Sequence, residues 1–224
     1  MGFWSSVGSF IGGCCSAIGS ICSGIGGAVM GAISALAVAI APILPIVALA
    51  VQAIGILANI LKPDEKPEDF GQAAEQMEKK PEDFDSINEY IDYLREGIRS
   101  GKVELNKDLS DEKLVAYKAV GCGLTIKGIE EKYGLKTSAE FWGMAGNMMQ
   151  NNKLNADELG KILELSKSND VSPENISNYI KGEKMEGGQK ASSVSDVIEN
   201  GLKDANPKMS EEEITARFNN LLKV

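Results

Sequence analysis

The chain has 224 residues, of which 23 are basic, 32 are acidic and none is histidine, and its formal net charge is −9. An acidic chain without a basic patch argues against nucleic-acid binding and against electrostatic attraction to anionic lipid. The absence of histidine removes the commonest general base and the commonest zinc ligand.

Cysteine is the remaining residue type that could carry redox or metal chemistry. The four cysteines are Cys14, Cys15, Cys22 and Cys122, and no two of them form a CxxC pair. We interpret them as small packing residues, and we expect no metal site and no cofactor. No catalytic constellation is visible elsewhere, so the sequence predicts a protein that is not an enzyme.

Residues 1–61 contain no Lys, Arg, Asp or Glu, and every charged residue lies between Lys62 and the C-terminus. The first ten residues, MGFWSSVGSF, lack the basic start of a secretory signal, and the uncharged stretch is several times too long for one. We therefore expect no cleaved signal peptide. The aromatic residues Phe3, Trp4 and Phe10 stand at the start of the stretch, where an interfacial membrane anchor is expected.

Small residues recur at every fourth position of the uncharged stretch, which is a helical and not a strand period. Bulky residues fill a separate stripe at the same period. In lipid a helix is enforced, and small faces let helices approach closely, so the pattern predicts a glycine zipper. One series is Gly8, Gly12, Ser16, Ser20, Gly24, Ala28 and Ala32, and the other is Cys15, Gly19, Ser23, Gly27, Gly31, Ala35 and Ala39. We predict that Gly8, Gly12, Gly19, Gly24, Gly27, Gly31 and Ala35 pack membrane helices together.

Pro42 and Pro45 interrupt the stretch, because proline lacks an N–H and disfavours helix at the preceding residue. We expect either a helical hairpin with these prolines at its tip or one kinked span. Gln52 and Asn59 are the only amides, and they are candidates for interhelical hydrogen bonds or for lining a pore. The alternative is a soluble fold that buries the stretch, which would occupy most of the core-facing surface of the remaining residues.

Beyond residue 61 the sequence becomes charged. The Pro-containing residues 62–84 are predicted to be a linker, and residues 85–224 a soluble all-α domain. Helix starts are predicted at the pairs Ser86/Glu89, Thr137/Glu140, Asn155/Glu158 and Ser210/Glu213, and at Ser172 with Pro173. The motif AVGCGLT around Cys122 is predicted to be a turn between helices, and FWGMAGNMMQ at 141–150 a core segment. The expected fold is all-α, with an N-terminal glycine-zipper hydrophobic helical hairpin joined to an acidic soluble helical bundle.

An uncharged N-terminal segment joined to an acidic helical domain resembles small pore-forming antibacterial effectors of type VI secretion, and more loosely the colicin-type channel proteins. The resemblance is one of composition. It implies insertion into the inner membrane of a target cell, self-association there and ion leakage. It also implies an immunity protein in the producing cell, a chaperone or secretion tube that shields the segment, and export without a cleaved signal peptide.

The sequence thus predicts a membrane-inserting, pore-forming protein whose partner is a lipid bilayer and not nucleic acid. Two alternatives stay open. One is an ejection or structural membrane protein of a phage or virus. The other is a soluble interaction protein with a buried hydrophobic hairpin.

Overall fold

The structure is a computed structural model that describes residues 13–23 and 27–223. These residues form helices joined by turns and loops and contain no strand, which confirms the predicted all-helical class. The uncharged stretch supplies α1 (Gly13–Ser23), α2 (Ala28–Ile40) and α3 (Leu44–Leu57). The charged part supplies α4 (Pro67–Gln76), α5 (Ile87–Arg99), α6 (Asp111–Tyr133), α7 (Ala139–Gln150), α8 (Ala156–Ser168), α9 (Pro173–Lys181), α10 (Ala191–Ala205) and α11 (Glu211–Leu221). Short 3₁₀ turns span Ala41–Ile43 and Pro81–Asp83.

Most helices of the charged part begin at a residue whose side chain accepts a backbone N–H three positions later. The predicted caps Ser86, Asn155, Ser172 and Ser210 all do so. At α7 the cap is Ser138, one residue later than predicted. Thr137 has another partner, because its Oγ1 accepts a hydrogen bond of 2.8 Å from the indole N–H of Trp142.

The predicted turn around Cys122 is wrong, because α6 runs through this motif without a break. Its glycines serve close contacts instead. A Cβ at Gly121 would overlap the carbonyl oxygen of Pro67 at the start of α4, and one at Gly123 would lie 3.1 Å from the side chain of Ile33 in α2. Cys122 is fully buried between these contacts, and its burial raises the pKa of the thiol to about 12.

Part of the stretch predicted as a linker is a packed helix. Residues 67–76 form α4, which lies along α6 and buries Phe70, Ala73 and Ala74. A Cβ at Gly71 would overlap the carbonyl oxygen of Tyr117, so the backbones of the two helices are in contact. The chain that follows the uncharged segment is therefore anchored to the fold within a few residues.

Helices α2 and α3 bend around α6. A straight helix would place residues 33 and 55 roughly 33 Å apart. In the structure Ile33 of α2 lies against Gly123, and a Cβ at Gly55 of α3 would lie 2.8 Å from the side chain of Thr125. The two arms of the segment, α2 and α3, therefore contact neighbouring positions on α6. The bend lies at the 3₁₀ turn Ala41–Ile43, where Ile43 leaves helical geometry with a φ of −115° and a ψ of 17°.

Buried apolar side chains from the uncharged and the charged parts form one connected core. Ile18 of α1, Ile33 of α2 and Ile54 of α3 have no exposed surface, and neither do Leu94 of α5 and Leu124 of α6. The uncharged segment is therefore part of the same packed core as the acidic helices.

Candidate functional site

The uncharged helices are the candidate functional segment. Ala28–Leu57, with its 3₁₀ interruption, is long and apolar enough to cross a membrane by length and composition, and its most apolar window has a mean hydropathy of 2.5. Only 33% of its most apolar window is buried in the fold. Since the core helix of a soluble protein meets the same length and composition criteria, the contacts of the segment decide how it can be interpreted.

Helix α3 is the more deeply packed arm and lies against α6, α7 and α8. Its residues Val47, Ala50, Val51 and Ile54 have no exposed surface. The α7 backbone touches α3 directly, because a Cβ at Gly146 would overlap the carbonyl oxygen of Ile46. The contacts of this arm are therefore close, apolar and shaped by glycine.

Helix α2 buries one face and exposes the other. Met30, Ile33, Ala37 and Ile40 are fully buried, while the opposite face consists of small or short apolar residues. Its exposed residues include Ala28, Gly31, Ala32, Ala35, Val38 and Ala39. The surface of the acidic protein thus carries an uncharged strip along α2.

The predicted zipper residues that the structure describes are exposed and do not lie in the core. Among residues 13–23 and 27–223, no atom outside the local chain lies within 4 Å of a Cβ placed at Gly19 or Gly31, and Ala35 is exposed. Gly27 precedes α2 with a φ of 100°, a conformation that favours glycine. The remaining predicted members Gly8, Gly12 and Gly24, and the predicted anchor Phe3, Trp4 and Phe10, lie outside the described residues.

The other residues singled out in the segment lie at its bend and at its C-terminal end. Pro42 is part of the 3₁₀ turn and Pro45 of the first turn of α3, and both are exposed. Gln52 is half-buried in α3. Asn59 is exposed just beyond α3 with a φ of 56°, where it serves as the left-handed residue that commonly ends a helix.

Three charged side chains from the rest of the fold bind the two ends of the segment, and sequence reasoning missed them. Glu82 accepts a hydrogen bond from the N–H of Val29, Lys132 donates to the carbonyl of Ala58, and Arg95 donates to the carbonyl of Ile60. The sequence signal was present. Neither α2 nor α3 has an acidic residue in its first turn or a basic residue in its last turn. Any charged side chain that stabilises these helix ends therefore belongs to another part of the chain.

An ion pair holds the chain just after the segment. Arg95 donates from Nε to Glu65 Oε1 at 2.5 Å and from Nη2 to Oε2 at 2.9 Å, and both side chains are largely buried. Burial of the Glu65 carboxyl opposes its ionisation, but hydrogen bonds from Arg95 and from the N–H of Lys62 outweigh that effect, so the pKa of Glu65 is lowered. The chain is thereby fixed where its first charged residues appear.

No family model, no curated protein and no solved structure matches the chain. Within residues 13–23 and 27–223, no group of three or more Cys, Asp or Glu residues is arranged to hold a metal ion. The geometry of the uncharged segment and the contacts that hold it are therefore the features of the molecule that point to a function.

Proposed function

We propose that the protein inserts its uncharged helices into a lipid bilayer, and that the described fold is the form in which these helices are stored in water. The observation that carries the proposal is the distribution of contacts along Ala28–Leu57. Between its ends the segment is held by apolar packing. The hydrogen bonds with Glu82, Lys132 and Arg95 bind only its two ends, at Val29 and, just beyond α3, at Ala58 and Ile60.

Apolar packing keeps the segment in place in water and costs little to exchange for lipid. Exposing the buried side chains Leu44, Val47, Val51 and Ile54 to water would cost roughly 1.5–3 kcal/mol each, a total comparable to the stability of a whole domain. A bilayer removes most of that cost because lipid tails are as apolar as the core. Release of the segment is therefore expected at a membrane and not in solution.

The finer form of the proposal is a pore-forming antibacterial protein that depolarises the inner membrane of a target cell. The exposed strip on α2 supports it, because Gly31 and Ala35 present small residues that would let copies of the helix approach closely in lipid. An immunity protein and a shielding chaperone or secretion tube would be its partners. Because the chain is acidic, we expect it to favour zwitterionic over strongly anionic lipid.

A second candidate is a soluble interaction protein in which the segment is a permanent core element. The depth of α3 favours it, since Val47, Ala50, Val51 and Ile54 pack in the same core as α6 and α7. The two candidates differ in one measurable respect. A storage form must release α3 at a membrane, whereas a core element never does.

A disulfide between α3 and α6 tests this difference. In a background with all four native cysteines replaced, Gly55→Cys and Thr125→Cys place two thiols at a contact where a Cβ on residue 55 lies 2.8 Å from the Thr125 methyl. The Cβ of residue 125 is one bond beyond that methyl, so the two Cβ atoms are at most about 4.3 Å apart, within reach of a disulfide. The matched control joins α10 to α8 by Gly201→Cys and Ile162→Cys, at another close contact that leaves the segment free.

The measurement is flotation with phosphatidylcholine vesicles and leakage of a dye trapped in them. We expect both when the α3–α6 disulfide is reduced, neither when it is formed, and both in either state of the control. If the reduced protein neither floats nor causes leakage, the soluble interaction protein is favoured. If leakage persists with the disulfide fully formed, release of α3 is not the step that admits the protein to lipid.

A further inference from the structure

The residues of α2 and α3 supply no charged side chain to stabilise the ends of these helices. The first N–H groups and last carbonyl groups of a helix lack partners within the helix, and they carry partial positive and negative charge. No side-chain cap is formed by the residues preceding either helix, and the uncharged stretch contains no ionic residue to serve. Backbone N–H groups of residues 58–61 bind the carbonyls of Ile54, Gly55 and Ile56 at the end of α3. The charged partners of the segment come from distant parts of the chain.

At the N-terminal end of α2 the partner is a carboxylate. Glu82, in the 3₁₀ turn Pro81–Asp83, accepts a hydrogen bond of 2.7 Å from the N–H of Val29 across 53 residues of sequence. A Cβ at Gly27 would overlap this carboxylate, so glycine at position 27 is what admits it. An anion at a helix N-terminus has the favourable sign for the helix dipole.

Just past the C-terminal end of α3 the partners are cations. Lys132 at the end of α6 donates to the carbonyl of Ala58 at 2.5 Å, and Arg95 of α5 donates to the carbonyl of Ile60 at 2.7 Å. Arg95 is itself fixed by Glu65 and Asp92. Cations at a helix C-terminus again have the favourable sign.

We propose that Glu82, Lys132 and Arg95 form an autoinhibitory clasp that keeps the uncharged segment docked, and that opening this clasp controls release of the segment. Its role in membrane entry depends on the proposed function, whereas its role in docking does not. The clasp acts at both ends of the segment from elements that belong to the charged helices. Apolar packing makes the docked position favourable in water, and the clasp decides how often the ends open.

The test variant is Glu82→Gln with Lys132→Met, which removes one charge of each sign and keeps the net charge at −9. The matched control is Glu183→Gln with Lys208→Met, two exposed residues in loops outside the segment, which changes composition and charge in the same way. Both proteins are compared with the wild type by amide hydrogen exchange in buffer without lipid, and by the rate of dye leakage from phosphatidylcholine vesicles.

We expect amides of α2 and α3 to exchange on the order of tenfold faster in the clasp variant than in the control, with α8 to α10 unchanged. Leakage should begin correspondingly sooner. Lys132→Arg, which keeps a cationic donor, should restore slow exchange at the α3 end. Equal exchange of α2 and α3 in the clasp and control variants would overturn the proposal.

Two further outcomes separate the clasp from the proposed function and from general destabilisation. Faster exchange in α2 and α3 with no leakage from any of the proteins supports the clasp and counts against membrane insertion. If the double variant exchanges faster everywhere, Glu82→Gln alone provides the decision, because Glu82 is exposed and its loss should affect only the start of α2. Exchange of α2 unchanged in that single variant would count against the clasp.

Discussion

The helices at the two ends of the chain are specified in different ways. Helices α8 and α11 begin with capping boxes formed by nearby residues, Asn155 with Glu158 and Ser210 with Glu213. Helices α2 and α3 have no such caps, and the charges at their ends come from residues 35 to 74 positions away in the sequence. The starts of α8 and α11 are therefore specified by neighbouring residues in the sequence. In water, α2 and α3 depend on contacts with the rest of the fold. This difference is what a storage form requires.

The largest effect is expected from a substitution that destabilises the packing of α8 against α11 and does not alter α2 or α3. Glu158 has no exposed surface and is paired with Arg217 of α11, while Asn206 donates to it at 3.0 Å. Arg217→Met leaves a buried carboxylate without its cation, so we expect a loss of about 3–5 kcal/mol in the free energy of unfolding, measured by urea denaturation. Vesicle leakage should not slow.

The control for that prediction removes both charges. Glu158→Gln with Arg217→Met should recover part of the lost stability, because no unpaired charge stays buried. A loss below 1 kcal/mol for Arg217→Met would show that this pair contributes little. Leakage that falls with stability would show that the C-terminal helices take part in membrane entry.

An intermediate effect is expected from glycine replacements that distinguish docking from helix formation. In Gly146→Ala the new methyl group overlaps the Ile46 carbonyl, and such overpacking costs about 1–3 kcal/mol, even though alanine favours the helix itself. In Gly31→Ala the methyl group has no neighbour within 4 Å in the described part of the chain, so the free energy of unfolding should rise by up to about 1 kcal/mol. Urea denaturation of both variants measures the difference, and equal effects would contradict the contact at Gly146.

The smallest effect is expected from the pH dependence of the Glu65–Arg95 pair. The pKa of Glu65 is lowered from 4.5 in the folded protein, so its contribution to stability is present above 4.5 and is lost as the pH falls through the folded pKa. The stability difference between the wild type and Glu65→Gln should therefore shrink as the pH is lowered below 4.5. Thermal denaturation at stepped pH values measures it. A difference that stays constant down to pH 2 would show that the Glu65 carboxyl is not held as an anion.

The helical class and many helix starts follow from the sequence because their determinants are local. Ser86, Asn155, Ser172 and Ser210 cap helices through residues three positions away, so spacing alone identifies them. The capping pattern predicts the start of α7 at Thr137, one residue before the true cap Ser138. The Thr137 hydroxyl accepts a hydrogen bond from Trp142 instead, and the position of Trp142 depends on the core.

The glycines were the residues whose roles were hardest to predict from the sequence, because the role of a glycine depends on which part of the fold packs against it. The glycines around Cys122 resemble a turn in sequence, but Gly121 permits contact with Pro67 inside a continuous helix. The glycines of α1 and α2 form one periodic pattern, yet Gly19 and Gly31 have no close neighbour among the residues that the structure describes. The pairing of Glu82 with Val29 could not be found from the sequence, since no spacing rule distinguishes Glu82 from the other acidic residues of the chain, all of which lie far from Val29 in the sequence.

The contact between α4 and α6 sets a limit on how far the segment can travel. Gly71 and Gly121 bring the two backbones together, so in the proposed release of α3 the helix α4 would stay with the charged helices. Residues 58–66 are then a leash, and nine residues at full extension reach roughly 30 Å. A segment on so short a leash cannot enter lipid while its acidic body floats free in solution. In the proposed insertion the acidic body would therefore lie against the headgroups on the side of entry.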